Sequence, residues 1–170
     1  MMILRLPTIR DEADLRQAHR ELELDGSNFL LDGFQGDETP FDEYLIRVTD
    51  SLQGTNLLPD RVASTFLVAE VDGEIVGRSS IRHELNDWLN QFGGHIGYAV
   101  RPDHRMRGYA SEILRQSIVL AKELGLHRIL LTCNDDNLGS IRVIEKHGGE
   151  LEDKVDDNGR LLRRYWINNS

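Results

Sequence analysis

The sequence predicts an α/β domain with a mixed sheet, and three observations carry that reading. Two β-rich runs, residues 65–71 and 74–81, flank Asp72-Gly73, the strongest short-range signal for a hairpin. A strand-like run, 95–100, leads through Arg101-Pro102 into a segment where Ala110, Ile113, Leu114, Ile118, Ala121 and Leu124 recur at helical spacing. Strand-like and helix-like stretches also alternate along the chain, in the order β, helices, βββ, helix, β, helix, ββ.

Residues 3–6 are a short strand ended by Pro7, and a helix follows over 11–24 with Thr8 or Asp11 available as cap. A polar stretch, 25–40, holds Gly26, Gly33 and Gly36 and reads as loop. Helical spacing returns over 41–52 through Phe41, Tyr44, Leu45, Val48 and Leu52. After the hairpin, Gly93-Gly94 introduces the strand at His95. Beyond the long helix, 128–133 is another β run and 140–146 a short helix. Residues 151–155 and 161–167 form a last hairpin around Asp157-Asn158-Gly159.

At 170 residues the chain is expected to be one domain, 1–170, large enough for a core without disulfide staples. Its 39% hydrophobic and 29% charged residues are those of an ordinary soluble protein. No apolar run approaches a membrane span, and Met1-Met2-Ile3-Leu4-Arg5 lacks a signal-peptide layout. The single cysteine, Cys133, excludes an internal disulfide, so a cytoplasmic location is expected. A net charge of −9 with no basic stripe argues against nucleic acid as a partner and suits a cationic amine.

The chemistry concentrates at the start of the long helix. A helix start leaves amides unpaired and carries the positive end of the helix dipole. Here it also holds Arg105, Arg107 and Gly108, the glycine letting a ligand reach the backbone. The arrangement predicts an anion site, best suited to a pyrophosphate. It lacks the Gly-Lys-Ser/Thr ending of a P-loop and the three-glycine dinucleotide fingerprint.

Arg105-x-x-Gly108-x-Ala110, set directly after a strand ending Val100-Arg101-Pro102, resembles the acetyl-CoA motif of the GCN5-related N-acetyltransferase (GNAT) superfamily. The order of elements is similar over essentially the whole chain. Ile81-Arg82-His83, Gly93-Gly94-His95-Ile96-Gly97-Tyr98 and Arg164-Tyr165-Trp166-Ile167 resemble a subgroup of uncharacterised predicted acetyltransferases. The resemblance implies a mostly antiparallel central sheet with helices on both faces, acetyl-CoA as acyl donor, no metal, and room for a homodimer. It implies that Arg105, Arg107, Gly108, Tyr109 and Ala110 surround the CoA diphosphate, chiefly through main-chain N–H groups. Tyr98 to Val100 would line the pantetheine channel.

Asn137-x-x-Ser140 followed by Glu145-Lys146-x-Gly148 resembles the family's second motif, whose Asn bonds the cofactor arm. Asn137 is equally a good helix N-cap, and the two roles are compatible. In this alignment the family's frequent tyrosine, the acid for the departing thiolate, falls on Ile144, and its Phe falls on Gly149. Isoleucine donates no proton. Tyr165, Tyr98 or His147 could substitute, or the thiolate could leave unassisted, since a free thiol has a pKa of about 8.5.

His95 is the leading candidate base, standing where many relatives carry a glutamate, with a pKa suited to neutral pH. The alternative is that it hydrogen-bonds the backbone and holds the loop; His83 and Glu84 come next as bases. Gly97, isolated within its strand, either marks a bulge that turns an N–H toward the thioester or relieves crowding by a neighbouring side chain. Cys133 closes an apolar strand and reads as core. The six histidines form no metal pattern with acids or cysteine. The acidic stretch 25–43 either recognises a cationic acceptor or is a solvated loop. Together these readings predict direct acetyl transfer from acetyl-CoA to a primary amine of a small molecule or a peptide, with an acetyl-CoA sensor lacking transferase activity as the alternative.

Overall fold

The computed structural model describes residues 1–170. Strands β1 (Met2–Arg5), β2 (Ser64–Val71), β3 (Glu74–Arg82) and β4 (Ile96–Val100) form an antiparallel sheet in sequence order. Strands β5 (Arg128–Asn134), β6 (Glu150–Asp157) and β7 (Arg160–Asn168) form a second antiparallel sheet, with β7 in the middle. Both expected hairpins are present. Asp72 (φ 51°) and Gly73 (φ 83°) take the left-handed pair of angles that a two-residue β2–β3 turn requires.

Helices α1 (Glu12–Glu23) and α2 (Phe41–Gln53) cover one face of the first sheet. Their Leu15, Leu22, Tyr44 and Val48 pack with Phe66, Val68 and Ile75 in one core cluster. Helix α3 (Tyr109–Glu123) covers the other face, and α4 (Leu138–Lys146) packs beside it on the second sheet, where Leu114, Ile129, Leu131, Ile141, Ile144 and Tyr165 form another cluster. The inner face of α3 differs from the expected stripe at two places. Leu124 is 44% exposed, while Ser117 is buried because its hydroxyl bonds that of Ser79 at 2.7 Å. No helix is long and apolar enough to cross a membrane.

The two sheets share a core cluster, but hydrogen bonds join β4 to β5 at one place only. His95 N–H donates to Leu130 O (2.7 Å) and Leu130 N–H donates to His95 Nδ1 (2.9 Å). Beyond that reciprocal pair no ladder joins β4 to β5. Gly94 permits the approach, since a Cβ there would stand 2.6 Å from Leu130 O. A short π-helical turn, Leu89–Gly93, for which the sequence offered no pattern, leads into this junction.

Candidate functional site

The unpaired helix start that the sequence predicts is present at α3. Gly108 is the N-cap in the left-handed region (φ 80°, ψ 3°), and no side chain caps the helix. From Met106 to Ser111 the backbone N–H groups find no acceptor within the chain; the first helical bond runs from Glu112 N–H to Gly108 O at 3.2 Å. A Cβ on Gly108 would meet nothing within 4 Å, so the space above the loop is open. Free amides and the helix dipole point at that space, an anion-binding arrangement that needs no charged side chain.

The arginines divide their work unevenly. Arg101 is turned inward, bonded to both Glu21 oxygens at 2.9 Å. Arg105 bonds Val100 O (3.2 Å) and pairs with Asp25 (2.7 Å), so its charge is already engaged. Arg107 is exposed and takes part in no ion pair. It is the side chain free to add to what the amides of Gly108, Tyr109 and Ala110 provide.

From this loop the open edge of β4 leads back into the gap between the sheets. Arg101 N–H bonds Val76 O, and strand alternation then turns the amides of Tyr98 and Val100 toward β5, where no ladder partner meets them. The Val100 side chain is core, so its contribution to a channel is main-chain only. The Tyr98 hydroxyl is buried in the gap, near Ser140 and Cys133, with no hydrogen-bond partner. A buried hydroxyl left unpaired costs about 1–3 kcal/mol, a deficit that a polar group entering the gap would remove. Burial pushes its pKa up to about 12.

Asn137 caps α4: its Oδ1 accepts from Ser140 N–H at 3.1 Å, leaving its amide NH2 free. Ile144 is buried in the core. A Cβ on Gly149 would collide with both the side chain and the backbone carbonyl of Ile144, so the chain passes too close there for a larger residue. The Tyr165 hydroxyl is occupied, donating to Glu145 (2.9 Å) and accepting from Arg163 (3.2 Å). His147 Nε2 lies 2.9 Å from the Ser111 hydroxyl, and burial lowers its pKa. Burial lifts the Cys133 thiol to about 11, which fits a core residue and not a nucleophile.

The geometry does not support one of the sequence expectations, and it decides between the two readings of Gly97. His95, the expected base, is 6% exposed, and its Nδ1 lone pair is taken by Leu130 N–H. That bond places the neutral ring's proton on Nε2, leaving no lone pair to receive a substrate proton. Burial, with Arg82 nearby, also pushes its pKa down to about 4. His95 is a clamp between the sheets. At Gly97 no bulge occurs, because the β3–β4 register runs unbroken through the Ser80–Gly97 pair. Gly97 makes room: a Cβ there would stand 3.1 Å from Arg82 Nη1.

On the face of β3 and β4 opposite α3 lies a cavity of about 640 Å³. Asp32, Ser64, Ser80 and Arg82 line it, and Leu31, Trp88 and Leu89 give it apolar walls. No local motif announced it, since its residues come from stretches far apart in the chain. Of the acidic stretch expected to meet a cationic acceptor, two members are engaged elsewhere. Asp25 pairs with Arg105, and Asp37 lies 3.8 and 3.6 Å from Arg16 and Arg20. Asp32 alone of these acids lines the cavity.

The pattern of the acetyltransferase (GNAT) family matches residues 30–149, a stretch that holds β4, the loop before α3 and Asn137. The L-amino acid N-acetyltransferase AaaT of Escherichia coli K12 is 33% identical over 115 residues, covering 65% of this chain and 70% of that protein. The uncharacterized N-acetyltransferase YnaD of Bacillus subtilis 168 is 41% identical over 65 residues, 36% of this chain and only 38% of its own length. Among solved structures, yncA of Salmonella typhimurium, a putative acetyltransferase with its cofactor acetyl-CoA, superposes with a TM-score of 0.67 at 18% identity. That match covers 99% of this chain and 94% of the other, and at such identity it speaks for the fold.

Proposed function

The chain belongs to the acetyltransferase (GNAT) family, and on that premise we propose that it transfers an acetyl group from acetyl-CoA to a primary amine. The observation that carries the reading is the continuity of two unpaired backbone surfaces. The partnerless amides from Met106 to Ser111 suit the diphosphate, and the open edge of β4 at Tyr98 and Val100 suits the amide-bearing arm behind it. Asn137, through its free NH2, and Arg107 add side-chain contacts to the same ligand.

Transfer requires the neutral amine to attack the thioester carbonyl, a C–N bond forming as the C–S bond breaks and the sulfur leaves as thiolate. The Tyr98 hydroxyl is the donor best placed to meet that thiolate, standing in the gap without a partner. With its pKa near 12 against about 8.5 for a thiol, full proton transfer would run uphill by about 5 kcal/mol. Tyr98 therefore stabilises the leaving sulfur by hydrogen bonding while solvent supplies the proton. This donor removes the motive for the sensor alternative, which rested on the isoleucine at position 144.

Calorimetry with acetyl-CoA, CoA and ATP, followed by thiol release in the presence of amines, tests the reading. Saturable binding of both CoA species with ATP far weaker, and acetyl-CoA consumption that depends on an amine, are expected. Binding of acetyl-CoA no tighter than ATP would overturn the site assignment.

A further inference from the structure

The cavity beside β4 contains a charge that the protein itself leaves unanswered. The buried guanidinium groups have their partners: Arg101 has Glu21, Arg164 has Glu152 and Asp153, and Arg78 has the carbonyls of Asn28 and Phe29. Arg82 has only one long bond, 3.5 Å to Gly93 O, and takes part in no ion pair. The half-buried guanidinium lines the cavity with its fork uncommitted to any acid, and a carboxylate is the group that meets such a fork with two parallel hydrogen bonds. Asp32 faces the same cavity with one bond, from the Ser51 hydroxyl (3.1 Å), and is not in ion-pair contact with Arg82. Burial raises its pKa, while Arg61 and Arg82 act the other way. Asp60, Arg61 and Asp87 stand at the exposed mouth.

The cavity's position ties it to the transfer site. Ser79 turns toward α3, so Ser80 and Arg82 share the opposite face with Gly97. Arg82 N–H bonds His95 O at 2.7 Å, and its guanidinium packs over Gly97. Accepting the transferase reading above, we propose that this cavity holds the acceptor and that the acceptor is a small amino acid, its carboxylate seated on Arg82 and its ammonium facing Asp32. The separated opposite charges match a zwitterion, and neither a simple amine nor a simple acid uses both. Leu31, Trp88 and Leu89 offer apolar surface to the body of the molecule, and the volume is ample for it.

The test uses the intact chain with acetyl-CoA and the twenty standard L-amino acids, each beside its own carboxamide, with thiol release as readout. At least one amino acid should be acetylated with kcat/KM about tenfold or more above its carboxamide, in line with a charge-assisted pair. Arg82→Gln should raise KM for that amino acid by about the same factor and erase the preference over the carboxamide, with acetyl-CoA affinity unchanged. Asp32→Asn, which keeps the side chain's shape, should also raise KM. Equal use of acid and carboxamide would overturn the proposal. So would failure of every amino acid in a protein that still binds acetyl-CoA, and the transferase reading would survive both results. Loss of acetyl-CoA binding by the unaltered protein would overturn the transferase reading itself.

Discussion

At its C-terminal end β4 runs into a site made of main-chain amides, whereas its N-terminal end borders a cavity made of side chains. The first site is contiguous in sequence, from Met106 to Ser111, and its donors belong to the main chain. The second gathers Asp32, Ser64, Ser80, Arg82 and Trp88 from segments that meet only in the folded domain. A backbone site is fixed by helix geometry and holds one common chemical group. A side-chain site is open to change at each position, which is where acceptor choice can reside. His95 and Gly97 stand between them, and both act by shaping the boundary.

The largest effect that would break this division lies at the boundary. His95→Ala orphans the Leu130 N–H and empties a buried ring site, and should cost about 3 kcal/mol in urea unfolding. Full stability with a collapsed rate would instead restore His95 as a base. The clamp has a pH signature. Burial holds the folded pKa at about 4, below the ordinary 6.5, so the unfolded chain takes up its proton first. The contribution of His95 to stability is whole above about pH 6.5 and is lost as pH falls toward 4. Melting temperature should fall through that window more steeply for the native chain than for His95→Ala.

Next in size, Arg107→Glu should weaken acetyl-CoA binding about tenfold by calorimetry, less at high salt, because the charge is exposed. Asn137→Ala should cost about 1 kcal/mol of stability through the lost cap and weaken the same ligand only a few-fold. If both leave the affinity untouched, the loop is not the ligand's seat. Smallest, and most diagnostic of the boundary, is Gly97→Ala. Its Cβ would press on Arg82, so acceptor KM should rise a few-fold while acetyl-CoA affinity stays constant.

Much of the fold was legible because its signals are local. Turn residues at 72–73 and 158–159, and helical spacing after Tyr109, need no knowledge of distant partners. The loop of unpaired amides before α3 was legible for the same reason. What escaped depends on separation in sequence. The task of His95 is set by Leu130, that of Gly97 by Arg82, and the burial of Ser117 by Ser79. A glycine inside a strand allows a bulge or a bulky neighbour, and only the β3–β4 register tells them apart. The 25–40 stretch reads as loop because its glycines and acids dominate, yet Phe29 and Leu30 are core residues.

That same stretch is fastened from within. Arg16 holds the carbonyls of Gly36 and Thr39, Arg47 that of Gly33, and Arg78 those of Asn28 and Phe29, while His19 Nδ1 takes the Leu30 N–H. The entropy of ordering this wall is therefore spent during folding and not on capture of a ligand. Leu31 and Asp32, which reach the cavity from this stretch, are thus carried on a segment already tied down at both flanks.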